Sequence, residues 1–289
     1  MRFLESELPE LRPEDCLFHI LPIPYEASVS YGGGTMAGPS AIIEASSQLE
    51  TWTGAGNPSE LGIYTWPDVN CEGRAEMVLE RIERAVDRAL DSRNERIIPV
   101  GLGGEHTVTL GILRALAKRH GRFGVVQFDA HADLRDSYEG SRYSHACVMR
   151  RAVDDLGLSL FQIAVRNMSL PEVVYRESAG IHFLDARELA AKGGSAYLAS
   201  LKSLLPPSFP EKIFLTFDID ALDSSLMPAT GTPDPGGLFW WDALRLAELA
   251  VKERTVLGFD VVELAPMEGF HAADFTAARL TYELMDIVK

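Results

Sequence analysis

Four short runs in this chain of 289 residues place ionisable side chains where they could do chemistry together. In FDAHAD, Asp129, His131 and Asp133 are spaced two apart, and in FDIDALD, Asp218 and Asp220 repeat that spacing. GGEHT sets His106 behind two glycines, and VVELAP sets Glu263 behind two valines. Residues two apart on extended backbone point to one side, so each alternation turns its donors the same way. Four aspartates and two imidazoles brought to one place repel one another unless a cation sits among them. An oxygen-dominated set with no cysteine cluster suits a hard divalent ion such as Mn²⁺ and argues against structural zinc. The four Asp charges balance two such ions. Two metals about 3.5 to 4 Å apart can share a water, lower its pKa and aim it as hydroxide at an electrophilic carbon. A lone Asp-x-Asp is commonplace in turns; it is the repetition at separate points of the chain that speaks for a metal centre.

Each of these runs follows an apolar, strand-like segment. IIPVGL leads to His106, FGVVQF to Asp129, KIFLTF to Asp218 and TVLGFDVV to Glu263. Helical periodicity separates them: RAEMVLERIERAVDRAL carries Val78, Ile82, Ala85 and Ala89 on one stripe, and TLGILRALAKR, WDALRLAELAVK and AADFTAARLTYELMDIV read the same way. LSLFQIAV and GIHFL are further strand candidates, ELAAKGGSAYLASLKSLL a further helix, and GPSAIIEAS a helix opened by Pro39. This rhythm predicts one α/β domain over residues 1–289, with a mostly parallel sheet covered on both faces. Ligands of open sheets gather at the carboxyl ends of the strands, where all the ionisable runs fall.

Composition sets the surroundings. Hydrophobic residues make up 46% of the chain, enough for a large core without disulfides, and Cys16, Cys71 and Cys147 are too scattered for a disulfide framework. The formal charge of −15, with no block of Lys and Arg, argues against a nucleic-acid partner. Neither a signal peptide nor a membrane span is legible, so a cytoplasmic protein is expected.

GGEHT, FDAHAD, FDIDALD and PATGTPDPGG resemble the signature segments of the ureohydrolases, the manganese enzymes that include arginase, agmatinase, guanidinobutyrase and formiminoglutamase. The resemblance runs from PIPYEASVSYGGG to VVELAP and the final helix. It implies an arginase-like three-layer α/β/α sandwich around an eight-stranded, mostly parallel sheet, and hydrolysis that releases urea from a guanidino compound. Carried over, it gives two Mn²⁺ per subunit: one held by His106, Asp129, Asp133 and Asp218, the other by Asp129, His131, Asp218 and Asp220. Asp129 and Asp218 bridge, and Asp133 also orients the attacking hydroxide. His145 of YSHACVMR is implied as the proton shuttle to the departing amine, and Glu263 as the carboxylate that grips the guanidinium. Both roles fit general chemistry, because an alkylamine leaves only when protonated and a carboxylate can accept paired N–H donors from a planar guanidinium. The family assembles as trimers or hexamers, so a homo-oligomer is expected.

The loop LRDSYEGSRYSH, with Tyr138, Glu139, Gly140 and Tyr143, resembles the agmatinase form and offers no obvious arginase-type carboxylate contact. The leading expectation is therefore agmatine hydrolysis to putrescine and urea, in polyamine (putrescine and spermidine) biosynthesis. Aminopropylagmatine, guanidinobutyrate and arginine are the alternative substrates; a non-catalytic metal-binding scaffold and a deacetylase-like amidohydrolase are the alternatives of another class. The chain has GGEH where GGDH is frequent and SHAC where the shuttle His is often followed by Gly, departures that touch no expected ligand. Glu105 and Asp223 are expected to support loops. Gly32 to Gly34 lack the lysine of a phosphate loop. His19 and His182 are expected to be packed or hydrogen-bonded, Trp240 and Trp241 to serve the core or a subunit contact, and Cys147 to be inert. Whether His271 and Tyr143 line the pocket is left open.

Overall fold

The computed structural model describes residues 1–92 and 96–289. Eight parallel strands form one sheet in the order β2-β1-β3-β8-β7-β4-β5-β6. They are β1 Phe18–Ile23, β2 Ile63–Thr65, β3 Ile98–Gly103, β4 Gly124–Phe128, β5 Ser159–Ile163, β6 His182–Leu184, β7 Lys212–Asp218 and β8 Thr255–Val262. Alternation within the strands feeds two cores. Ile20, Val100, Val126 and Leu215 face one, and Leu21, Val125 and Phe214 face the other.

Helices cover both faces, giving the three-layer α/β/α sandwich that the sequence implies. They are α1 Gly38–Ser46, α2 Ala75–Leu90, α3 Val108–His120, α4 Val148–Asp154, α5 Leu170–Ser178, α6 Ala186–Ala191, α7 Ser195–Ser200, α8 Trp240–Val251 and α9 His271–Val288. Val78, Ile82, Val86 and Ala89 form the buried stripe of α2. That stripe lies so close to α3 that a Cβ on Gly111 would sit 2.7 Å from Ile82. α1, α8 and α9 close the opposite face through Ile42, Leu246 and Tyr282.

Departures from the sequence reading have local causes. The stretch expected as one helix divides into α6 and α7, because Gly193 and Gly194 take φ values of 101° and 55°. β1 escapes notice because FHILPI contains a proline. Pro22 lies beyond the Phe18–Ile20 segment that pairs with β2, so its missing N–H costs that ladder nothing. No described helix is long and apolar enough to cross a membrane.

Candidate metal centre and cleft

The chain leaves β3, crosses to β4 beyond two strand positions, and later returns to fill them with β7 and β8. A crevice opens at such a reversal of winding, and the four strands around it carry the ionisable runs. His106 follows β3, Asp129 follows β4, Asp218 ends β7 and Glu263 follows β8. The paired glycines before His106 are demanded by packing, since a Cβ on Gly104 would fall 2.1 Å from the carbonyl oxygen of Tyr25. Asp133 and Glu263 adopt left-handed backbone at φ 53° and 67°, as does nearby Ala164 at 71°. Such conformations persist in non-glycine residues only where surrounding structure enforces them, and they gather at functional sites.

The structure brings all six expected metal residues together. His106 Nδ1 lies 3.1 Å from Asp129 Oδ2, 3.1 Å from Asp133 Oδ2 and 3.3 Å from Asp218 Oδ2. His131 Nδ1 lies 3.0 Å from Asp220 Oδ2 and 3.6 Å from Asp129 Oδ1. Two donor sets result, His106 with Asp129 and Asp133, and Asp129 with His131 and Asp220, the atoms of each within 4.8 Å of one another. Buried His106 Nδ1 has no hydrogen-bond partner despite its three carboxylate neighbours. At the first set the carboxylates gather round this nitrogen without a hydrogen bond to it, which fits a bound cation. The arrangement is that of a dinuclear metal site.

Electrostatics points the same way. Burial, then the Asp129 charge, pushes the Asp133 carboxyl up to about 7. Burial, then Asp220 and Asp129, holds Asp218 well above the usual carboxylate range. Burial opposes charging of the two imidazoles, but the surrounding aspartates outweigh it: His106 is held well above its ordinary value and His131 is raised to about 12. Asp129 moves down because those imidazoles outweigh its own burial. The protein alone must recruit protons where a cation would do better.

A second ring of residues, unnoticed in the sequence, fixes the donors. His106 Nε2 lies 2.8 Å from Thr216 Oγ1, which is 3.5 Å from Thr109 Oγ1, and Thr109 donates to Asp260 Oδ2 at 2.7 Å. A carboxylate at the end of this chain takes the Thr109 proton, so Thr109 accepts from Thr216 and Thr216 from Nε2–H. Nδ1 keeps its lone pair for a metal. Gln127 Nε2 donates to Asp129 Oδ2 at 2.7 Å, and Gln162 Nε2 donates to Gln127 Oε1 at the same distance. Arg166 donates to the carbonyls of Asp220, Leu222 and Asp234, pinning the loop after β7. Gln127, Thr216 and Asp260 each interrupt an apolar strand, and that was the available signal.

Glu263 Oε1 accepts the His106 backbone N–H at 2.6 Å, and burial holds the Glu263 carboxyl well above its ordinary value. Glu263, Asp133, Asp218, Asp220, His131 and His145 all border one cleft of about 220 Å³. Tyr138 borders it too, carried on a tight turn with Glu139 at φ 49° and Gly140 at 81°, and its ring stands edge-on to His145 at 6.1 Å. Arg135, also overlooked in the sequence, lies on the wall. Its guanidinium is 3.8 Å from Glu172 and 4.8 Å from the centre of the Tyr138 ring. Tyr143 and His271 are not among the residues bordering the cleft. Tyr143 packs beneath Arg114 and Arg142, and His271 is exposed at the start of α9.

The other residues singled out in the sequence differ in their surroundings, and His182 and Trp241 lie outside the core. Glu105 is fully buried and ties the segment at Ala27 and Ser28 to the loop, and Asp223 accepts from Ser225, Gly236 and Gly237. His19 is buried and accepts from Trp66, whereas His182 is exposed with its ring stacked near Phe161. Trp240 packs on the core, and Trp241 is 77% exposed. Burial pushes the Cys147 thiol up to about 11, in keeping with an inert side chain.

The sequence model of the arginase family matches residues 17–286. The chain is 36% identical to an N(1)-aminopropylagmatine ureohydrolase of Synechocystis over 98% of its own length and 92% of that protein's. It is 34% identical to an agmatinase of Pyrococcus horikoshii, over 97% and 95% of the two chains. The crystal structure of an agmatine ureohydrolase of Thermoplasma volcanium superposes with a TM-score of 0.82 at 28% identity, covering 99% and 94%.

Proposed function

The chain belongs to the arginase family of metal-dependent hydrolases, and from that premise we propose that it releases urea from a linear guanidino compound with a cationic amine tail. Agmatine and N1-aminopropylagmatine belong to that class; the relatives named for each support both, so the narrower expectation of agmatine alone is widened. The observation that carries the reading is the single cleft joining the two donor sets to Glu263 and His145. On its border Asp133, Asp218 and Asp220 would be neutralised by the metals and Glu172 is paired with Arg135, which leaves the Glu263 carboxylate facing the guanidinium. The cleft thus offers a carboxylate to the guanidinium, while a carboxylate tail would have to compete with Glu172 for Arg135.

Manganese fits the oxygen-rich donors, and His106, Asp129, His131, Asp133, Asp218 and Asp220 would hold it. Divalent metal held there would supply the chemistry of water activation, lowering the pKa of a water that can attack the guanidinium carbon. Glu263 holds the guanidinium plane by accepting its N–H groups. Asp133 accepts a hydrogen bond from the attacking water and fixes its direction. His145 carries a proton to the alkyl nitrogen as the C–N bond breaks and a C–O bond forms, leaving urea and the free amine. Urea assay of Mn²⁺-loaded protein with agmatine and with N1-aminopropylagmatine tests the proposal. Turnover of at least one is expected, and no urea from either, with both metals bound, would refute it.

A further inference from the structure

We infer that Ser28 and Glu105 are positioning residues that set the tautomer of His145, resting on the proposed role of His145 as proton carrier. Glu105 is fully buried, and its two oxygens accept four hydrogen bonds. The backbone N–H groups of Ala27 and Ser28 donate to Oε2 at 2.7 and 2.6 Å, and the hydroxyls of Thr107 and Ser28 donate to Oε1 at 2.7 and 2.8 Å. An acceptor at the end of the chain claims the single hydroxyl proton of Ser28. Ser28 Oγ then has only lone pairs to offer. One accepts the His145 backbone N–H at 3.0 Å, and the other faces His145 Nδ1 at 3.2 Å. Nδ1 must therefore carry the hydrogen, which leaves Nε2 as the basic nitrogen. Ser144 Oγ, at 3.4 Å from Nδ1, is the competing partner and the more distant one.

The logic mirrors the chain behind His106, with the opposite outcome. There Asp260, through two threonines, puts hydrogen on Nε2 and frees Nδ1; here Glu105, through Ser28, puts hydrogen on Nδ1 and frees Nε2. Neutral His145 in this tautomer can take a proton from the attacking water at Nε2 and pass it from the same atom to the departing amine. The reverse tautomer would present an N–H to that water and could not accept.

The test is a double-mutant cycle on the metal-loaded protein, using whichever of agmatine and N1-aminopropylagmatine the wild type hydrolyses faster. Ser28→Ala is expected to lower kcat about tenfold with KM and two metals per chain retained, in the range of lost positioning partners. In a His145→Ala background the same substitution should change kcat by less than about twofold, because there is no ring left to orient. Ser28→Cys fills the same space with a weak hydrogen bonder and gives the same reading if the alanine variant does not fold. Wild-type kcat in the serine variants, an equal loss in both backgrounds, or a loss matched by missing metal would each overturn the inference. Wild-type kcat in His145→Ala alone would instead remove the proton-carrier role on which it rests, so the two failures can be told apart.

Discussion

Glu263 Oε1 accepts the backbone N–H of His106 at 2.6 Å, so the carboxylate proposed for the guanidinium is tethered to the loop that carries a proposed metal ligand. Substrate grip and the position of His106 are thereby coupled through a side-chain hydrogen bond that adds to the backbone bond from the Glu263 N–H to the Gly104 carbonyl.

This coupling separates two substitutions at the same position. Glu263→Gln can still accept the His106 N–H through Oε1 but turns an N–H₂ group toward the guanidinium. Losing a hydrogen bond to a charged group costs about 1.5 to 3 kcal/mol, so kcat/KM should fall roughly tenfold to a hundredfold with metal content unchanged. Glu263→Ala also leaves the buried His106 N–H without a partner, and should lose metal and thermal stability as well. Equal metal content and melting temperature in the two variants would show that the tether does not matter.

Asp129 belongs to both donor sets, lying near His106 through one oxygen and near His131 through the other. Asp129→Asn should lower the metal content below two per chain and reduce urea release by about 10²-fold or more, the scale on which loss of water activation acts. Two tightly bound metals by elemental analysis, with undiminished turnover, would contradict a shared ligand.

Removing the metals should make stability fall with rising pH. Asp133 titrates near 3.8 in an unfolded chain and is raised to about 7 in the fold, and buried Asp260 is raised to about 6. A raised carboxyl supports folding fully below its unfolded value and loses that support as pH climbs to the folded value. In metal-free protein this loss spans about pH 4 to 7. Bound cations favour the ionised carboxylates and reverse the penalty. The gain in melting temperature on adding Mn²⁺ to stripped protein should therefore be larger at pH 7 than at pH 5. Taking the difference between loaded and stripped protein cancels acids elsewhere that titrate alike in both. An equal or smaller gain at pH 7 would mean that the cation does not relieve the crowding of these carboxylates.

The donors were legible because they alternate on strand ends, a pattern with a period of two that one sequence displays directly. The residues that aim them were not. Thr216 and Gln127 look like unremarkable polar interruptions of apolar strands, and Ser28 lies 117 positions from the His145 whose ring it faces. No local periodicity reports such a meeting; only the packing of the loops after β1, β3 and β4 creates it. Asp133 and Glu263 illustrate a related gap, since nothing in their residue types announces left-handed backbone. Helix continuity across Gly193 and Gly194 was overestimated because the apolar spacing persists through a break that the backbone, not the side chains, imposes.

Arg135 is where selectivity is most exposed to test. It was not foreseen in the sequence, and it places a guanidinium on the cleft wall where the carboxylate of arginine or guanidinobutyrate could seek a partner. Its charge is already shared between Glu172, at 3.8 Å, and the face of Tyr138. Glu172 in turn is buried and accepts from Leu134 N and from the Ser169 N–H and hydroxyl, so it cannot swing away to release Arg135 without losing those bonds. A carboxylate tail must then compete with Glu172 or stay incompletely bonded, at a cost of about 1 to 3 kcal/mol or roughly tenfold to a hundredfold in kcat/KM. An amine tail meets no such conflict. Side-by-side kinetics should accordingly rank agmatine and N1-aminopropylagmatine above arginine and guanidinobutyrate by at least about tenfold. If arginine or guanidinobutyrate equals or exceeds the amines, and Arg135→Ala abolishes that turnover while sparing the amines, Arg135 is the tail contact and the cationic-tail reading falls.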